Sequence, residues 1–243
     1  MSALLAVDGM SKHFGAVAAV DTCSFSVPDG TITALIGPNG SGKTTLFNMI
    51  TGYLPADSGA ITFDGRAIAR PDPTRLYRAG LTRTFQQARV FVGLSVLDNL
   101  VAGVTQTWRG YLRRRVSPAD RERAFEVLRE FRLEGLADRL AGELSFGQRK
   151  LLEFGATLMS RPRLVLLDEP TSGVNPVMVE TMERHIRALH AEGLSFLIVE
   201  HDMHLVMRLC DRVIVLDHGT KIAEGPPATI QTDARVLDAY LGA

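Results

Sequence analysis

Two hydrophobic rhythms run along this chain. Thr22-Cys23-Ser24-Phe25-Ser26-Val27 alternates polar and apolar positions, and Ile61-Thr62-Phe63 ahead of the turn Asp64-Gly65 reads the same way. Alternation turns one face of an extended segment towards a core and the other towards water, so the N-terminal region is predicted to contribute antiparallel sheet. Thr33-Ala34-Leu35-Ile36, Leu164-Val165-Leu166-Leu167 and Phe196-Leu197-Ile198-Val199 are instead continuous apolar runs, each followed by helix-like sequence. That pattern predicts strands of a parallel sheet buried on both faces.

Between about residues 94 and 160 the strand rhythm fades. Ser117 is placed to cap a helix with Pro118 at its first position and Ala124, Val127, Leu128 and Phe131 on one face. We therefore expect one domain spanning 1–243 with a helical lobe inserted over 94–160. Val213-Ile214-Val215-Leu216, the turn Asp217-His218-Gly219 and Lys221-Ile222-Ala223 read as a closing hairpin, followed by a short helix from about Pro227. The predicted class is α/β: a mixed, largely parallel sheet, an N-terminal antiparallel β subdomain and the helical lobe.

Composition and a few local features narrow the picture further. A chain of 243 residues that is 46% hydrophobic can bury a sizeable core, which excludes a disordered chain. Basic and acidic residues number 27 each, so no global field draws nucleic acid or anionic lipid. The longest apolar runs are far short of the ~20 residues that a membrane helix needs, so any membrane partner must supply the span. Cys23 and Cys210 lack metal-type or redox-type spacing and Met1-Ser2-Ala3-Leu4 has no signal-peptide layout. Two buried structural thiols in a reducing cytoplasm are the expectation.

The candidate chemistry begins at Gly37-Pro38-Asn39-Gly40-Ser41-Gly42-Lys43-Thr44. The segment fits the phosphate-binding loop, and it sits between an apolar strand and the helix-like Thr45-Leu46-Phe47-Asn48-Met49-Ile50. Glycines let backbone N–H groups curl around phosphate oxygens, and the helix N-terminus adds its positive end. Lys43 can neutralise terminal phosphates, and the Thr44 hydroxyl can ligate Mg²⁺. Average residue usage yields the four fixed positions by chance in about one such chain in a hundred. Asp168-Glu169 ends a second buried strand, at the edge where open α/β sheets bind ligands. Asp168 suits Mg²⁺ coordination through water, and Glu169 suits a general base for the water attacking a γ-phosphate. His201, just beyond the run ending at Val199-Glu200, is expected on the same edge.

Gly37 to Thr44, Leu144-Ser145-Phe146-Gly147-Gln148, Asp168-Glu169-Pro170 and His201 stand in the order of the ATP-binding cassette ATPases, which the chain resembles over nearly its whole length. The resemblance implies ATP and Mg²⁺ as ligands. It also implies a head-to-tail pair of ATPase subunits, in which Leu144 to Gln148 contacts ATP held by the other subunit. Ser145 and the Gly147 backbone, with Gln148 beside them, would make those contacts. It assigns Gln86 to Mg²⁺ and the attacking water, His201 to the γ-phosphate as the switch histidine, and Phe14 to stacking on adenine. Thr45 completes the phosphate-loop set. The sequence departs from the family pattern at Phe146, where a glycine is usual, and at Asn175 of Ser172-Gly173-Val174-Asn175, where an aspartate is usual. Phe146 resembles the hydrophobic amino-acid uptake branch, as do Arg83-Thr84-Phe85-Gln86, Glu200-His201-Asp202-Met203 and Ala239-Tyr240-Leu241-Gly242.

The implied function is ATP hydrolysis powering an importer of branched-chain or related amino acids, at the cytoplasmic face of the inner or plasma membrane. The implied partners are transmembrane permease subunits, a second ATPase that is identical or a paralogue, and indirectly a periplasmic or extracellular solute-binding protein. An ATPase for urea, an aromatic acid or a lipopolysaccharide precursor fits the same motifs. A soluble cassette ATPase of DNA repair or translation fits less well, because this chain lacks the long coiled-coil insertion or second cassette such proteins carry. A small-molecule kinase or GTPase needs no Leu144 to Gln148 motif, and no Asn-Lys-x-Asp guanine reader occurs. The cluster Trp108, Arg109, Tyr111, Arg113, Arg114 and Arg115 reads as a solvated surface, with lipid headgroups or a partner as the alternative.

Overall fold

The computed structural model describes residues 3–102, 104 and 117–241. Among the described residues, ten strands form two sheets. β1 (Ala3–Phe14), β2 (Val17–Pro28), β4 (Ser58–Phe63) and β5 (Arg66–Ile68) make an antiparallel sheet in the order β2-β1-β4-β5. The second sheet runs β10-β9-β3-β8-β7-β6. Its members are β3 (Ile32–Ile36), β6 (Leu81–Arg83), β7 (Leu164–Asp168), β8 (Ser195–Val199), β9 (Arg212–Asp217) and β10 (Thr220–Gly225). All its neighbours pair in parallel except the closing β9–β10 hairpin.

The continuous apolar runs have a direct explanation in this arrangement. In the parallel sheet, Ile32, Ala34, Ile36, Val165, Leu167, Phe196, Ile198, Val213 and Val215 join one core cluster, shared with the helical side. The intervening Leu35, Leu164, Leu166, Leu197, Val199, Ile214 and Leu216 join a second cluster. Side chains alternate across a strand, so a strand buried on both faces has no polar phase. The second cluster lies between the two sheets and takes in Leu5, Val7, Met10 and Phe63, together with Leu46, Phe47, Met49 and Ile50 from the helix Lys43–Ile50. That helix follows the phosphate loop and is thus gripped by apolar contacts along most of its length.

Within 94–160 lie the helices Val96–Ala102, Pro118–Glu130 and Phe146–Leu158 and two short 3₁₀ turns, with a single isolated bridge, Ser95 to Leu140, as the β pairing among the described residues. Ser117 caps its helix as expected, its hydroxyl accepting from the Asp120 N–H, and Ala124, Val127, Leu128 and Phe131 are buried. The cluster from Trp108 to Arg115 lies outside the described residues. The sequence rhythm passed over β6, three residues long and too short to show a period, and the N-terminal extent of β1. β6 turns out to matter because it delivers Arg83 and then Gln86 to the site.

Cys23 and Cys210 are both free and buried, and burial pushes their thiols up to about 11 and about 12. They are structural thiols, as their spacing implied.

Candidate nucleotide site

The parallel strands β3, β8, β7 and β6 all end at the same edge, and each hands a candidate residue to it: Lys43 after β3, His201 after β8, Asp168 and Glu169 at β7, Gln86 after β6. The phosphate loop is held from two directions. A Cβ at Gly37 would collide with the Leu216 carbonyl oxygen of β9, and one at Gly42, where φ is +100°, with the Ala19 carbonyl of β2. Only glycine tolerates this double approach. The turn after β9 closes the clasp: the Gly219 N–H donates to the Ser41 carbonyl (3.1 Å), and the Asp21 N–H donates to the Gly219 carbonyl (2.9 Å).

Gly42 caps the Lys43–Ile50 helix without a side-chain acceptor, so the first-turn N–H groups keep their donor capacity for an anion. Pro38, Asn39, Gly40 and Ser41 line an open cavity of about 610 Å³ on one flank of the loop. Lys43 is buried and curls back on the loop, donating to the carbonyls of Gly37 and Pro38, both at 2.8 Å. Burial pushes its ammonium below the usual lysine range, opposed by the carboxylates of Glu169 and Asp168. A desolvated cation inside a ring of backbone dipoles suits a phosphate, which would add the anionic partner that carbonyls only approximate. Thr45 is half-buried two positions further along the helix.

Thr44, Gln86 and Asp168 line one side of a cavity of about 480 Å³, continued by Asn48, Tyr53, Arg83, Phe85 and Arg89. Hydroxyl, amide and carboxylate oxygens are the hard donors that Mg²⁺ takes, so the set fits that ion. Asp168 is already engaged, however. Its Oδ2 accepts from Arg83 Nη2 at 2.7 Å, in a pair with both side chains only 5% exposed. Arg83 Nη1 donates to Asn48 Oδ1 (2.6 Å) and Thr51 Oγ1 (3.0 Å), and its guanidinium lies 5.1 to 5.8 Å from the rings of Phe47, Tyr53 and Phe85. Asp168 Oδ2 is thus shared with the Arg83 guanidinium at the edge of the cavity.

Glu169 and Gln86 meet: Gln86 Nε2 donates to Glu169 Oε2 at 2.9 Å. Glu169 holds a positive φ of 47°, a conformation non-glycine residues avoid, while its N–H donates to the Val199 carbonyl of the neighbouring strand. His201 lies two residues beyond Val199, its side chain 61% exposed and its backbone N–H donating to Glu200 Oε2. Glu200 is buried and also accepts from the Thr171 N–H and hydroxyl, fixing the two loops to each other. Phe14 is 52% exposed at the β1–β2 hairpin, with the Lys12 ammonium 5.8 Å from its ring, as an aromatic face open to stacking would be.

Ser145 caps the Phe146–Leu158 helix and forms a reciprocal capping box with Gln148: Ser145 Oγ accepts from the Gln148 N–H, and Gln148 Oε1 from the Ser145 N–H. Phe146 occupies the first helical position without a positive φ, so the backbone there does not demand the family's glycine. Its ring is 42% exposed, beside Gly173 and the Lys150 ammonium. Gly147 abuts Met178. Asn175 caps the Pro176–Ala191 helix, accepting from the Met178 N–H at 2.9 Å. An aspartate at this position could accept the same bond, so the cap does not depend on the charge.

Sequence reasoning missed Arg83 as a site residue, although it stands three positions before Gln86. It also missed Lys150 and Glu153, buried charges three residues apart on a helix whose Leu151, Leu152, Phe154 and Leu158 are buried. Charged residues embedded in an apolar stretch were the available signal.

With this geometry in place, comparison with known proteins is decisive. The family described as ABC transporter matches residues 20–172, which include the phosphate loop, Gln86, Ser145 and Glu169. The chain belongs to the ABC transporter family. A second match, to the branched-chain amino acid ATP-binding cassette transporter family, covers residues 220–243. The chain is 38% identical over 250 residues to the probable branched-chain amino acid transport ATP-binding protein LivG of Methanocaldococcus jannaschii, covering 98% of this chain and 97% of that one. It is 35% identical to the high-affinity branched-chain amino acid transport ATP-binding protein BraF of Pseudomonas aeruginosa, covering 98% of each. Among solved structures, a nucleotide-free ATP-binding cassette from an ABC transporter superposes with a TM-score of 0.89 at 36% identity, and the ADP conformation of a cassette with 0.89 at 37%; both cover 100% of each chain. The chain is accordingly an ATP-binding, ATP-hydrolysing subunit that works with transmembrane permeases as a peripheral, membrane-associated protein. No helix among the described residues is long and apolar enough to cross a membrane.

Proposed function

We propose that this cassette hydrolyses MgATP to drive uptake of branched-chain or related amino acids, from the cytoplasmic face of the inner or plasma membrane. The observation carrying the catalytic half is the convergence of four strand-end loops, with Gln86 hydrogen-bonded to Glu169 at 2.9 Å beside Lys43 and Thr44. The names of the relatives and the match over residues 220–243 support the solute class.

In this reading the phosphate loop of residues 37–45 cradles the phosphates with its backbone N–H groups, Pro38 shaping the loop without a donor, Lys43 meets the terminal phosphates and Phe14 stacks on adenine. Thr44, Gln86 and Asp168, which line one cavity, would hold Mg²⁺. When bound, that ion neutralises charge on the transferring phosphoryl group. Glu169 accepts the proton of the attacking water, oriented by Gln86, and His201 donates to a γ-phosphate oxygen. Residues 94–160 act as a signalling lobe whose Ser145, Gly147 and Gln148 complete the ATP site of a second, identical or related, ATPase subunit. Permease subunits and an external solute-binding protein then choose the solute.

Glu169→Gln keeps size and hydrogen bonding but removes the base, so ATP stays intact and continues to bridge two subunits. Light scattering should give a dimer mass for this variant with MgATP, mixed with its co-purified ATPase partner if there is one, and a monomer without nucleotide. A monomer with nucleotide demonstrably bound would overturn the composite site. Uptake of labelled leucine by proteoliposomes of the co-purified transporter tests the solute, and uptake of urea or an aromatic acid instead would reassign it.

A further inference from the structure

The helix that starts at Ser145 reaches the catalytic pair by two buried charged side chains. Glu153, 7% exposed, accepts with one oxygen from both the Phe85 N–H (3.2 Å) and the Arg89 N–H (3.1 Å), the two ends of the segment that carries Gln86. One turn nearer the N-terminus, Lys150, 4% exposed, donates to the carbonyls of Glu169 (2.9 Å) and Pro170 (3.3 Å). Lys150 and Glu153 therefore hold, from one rigid element, the backbones on both sides of the Gln86–Glu169 hydrogen bond. The small cavity between them, lined by Thr84, Phe85, Leu167 and Pro170, has room for about 10 Å³ of solvent, at most a single water.

We propose that Lys150 and Glu153 are positioning residues, a two-pronged brace that transmits the placement of the Ser145 end of the helix to the distance between Gln86 and Glu169. The inference rests on the catalytic reading of those two residues given above. Neither Lys150 nor Glu153 touches the reacting atoms, and their effect passes through the backbone they hold. A helix moves as a unit, so a displacement at its capped end shifts both prongs together. Occupancy of the ATP site that the Ser145 end faces thereby alters the alignment of the other site's base. Burial supports the assignment, since two desolvated charges this close to a loop backbone are stable only while their partners are in place.

The test is steady-state hydrolysis by the full-length chain in its purified ATPase assembly, together with calorimetric MgATP binding. Glu153→Ala and Lys150→Met should each lower kcat about 10- to 100-fold, the scale of a small misplacement of catalytic groups, while nucleotide affinity stays within about 2-fold. Glu153→Gln keeps an acceptor oxygen and should restore kcat to within about 3-fold of the parent. Glu153→Asp, one methylene shorter, should not, and it serves where Glu153→Ala fails to fold. Because Glu153 acts through Gln86, adding either Glu153 variant to Gln86→Ala should cost little more than Gln86→Ala alone. Full kcat in folded Glu153→Ala or Glu153→Asp, additive losses with Gln86→Ala, or affinity falling in step with kcat would each overturn the brace. If Gln86→Ala and Glu169→Gln themselves hydrolyse ATP normally, it is the underlying site reading that fails.

Discussion

Replacing Arg83 with methionine removes the cation from a pair that is nearly sealed from water, leaving Asp168 as an uncompensated buried charge. Breaking a buried pair by deleting one partner typically costs 3–5 kcal/mol. Three further terms act in the same direction. Asn48 Oδ1 and Thr51 Oγ1 lose their donor, and the guanidinium leaves a box formed by Phe47, Tyr53 and Phe85. Methionine fills much of the vacated volume, which offsets part of the loss. We expect a net destabilisation of about 4 kcal/mol, which for a chain of this size lowers Tm by roughly 8–16 °C. Arg83→Lys should fall in between, because an ammonium cannot reach Asp168, Asn48 and Thr51 at once. The assay is thermal unfolding followed by circular dichroism without nucleotide or divalent cations, so that no catalytic role enters. The control is Asp168→Asn and the double variant: removing both charges should recover about 2 kcal/mol relative to the sum of the singles. A loss below about 1 kcal/mol for Arg83→Met, or strict additivity in the cycle, would refute the claim that this pair is a buried, mutually dependent unit.

Glu153 gives a pH prediction with a definite sign. Burial raises its carboxyl from 4.5 to about 7, against the pull of the Arg89 and Phe85 N–H groups and the charges of Lys150 and Arg89. Between those values the folded chain keeps a proton that the unfolded chain has released, so stability falls as pH rises from about 4.5 to 7 and then levels off. The full difference is roughly 3 kcal/mol. Urea unfolding at pH 5 and pH 8 should show this component in the parent and not in Glu153→Gln, and equal pH dependence in both would refute it. Removing the Phe14 ring should cost about 1–3 kcal/mol of ATP binding, or roughly 5- to 150-fold in affinity by calorimetry, if the ring stacks on adenine; equal affinity in Phe14→Ala would move that role elsewhere.

What could be read from the residues alone divides along a physical line. Gly37 to Thr44 was legible because loop, strand and helix are contiguous, and each residue type answers a local demand. The buried strands were legible because burial on both faces erases the polar phase, as in Leu164 to Leu167. The Ser117 cap needs only four residues of context. Spatial strand order was not legible, since nothing in Leu164 to Leu167 says that it pairs with both β6 and β8. Nor was the pairing of Arg83 with Asp168: each has many conceivable partners, and only the parallel register of β6 on β7 brings them together. Lys150 and Glu153 were hidden for the same reason, because their partners are backbone atoms of distant loops and backbone atoms leave no mark in a sequence. The structure also gave Ser145 and Gln148 a second occupation as a capping box, which the motif by itself does not reveal.

The clasp of Gly219 on the phosphate loop bears on how the protein comes into being. Ser41 and Asp21, near the start of the chain, are joined by backbone bonds to a turn near its end. During synthesis the loop's sequence emerges early, yet the Leu216 carbonyl and the Gly219 N–H that constrain it are made long afterwards. Contacts between residues so distant along the chain form slowly, since the intervening chain must first be brought together. A nascent chain stalled before the closing hairpin would thus carry every residue of the phosphate loop without its native clasp. The native setting of the phosphate loop thus depends on chain that is made long after the loop itself.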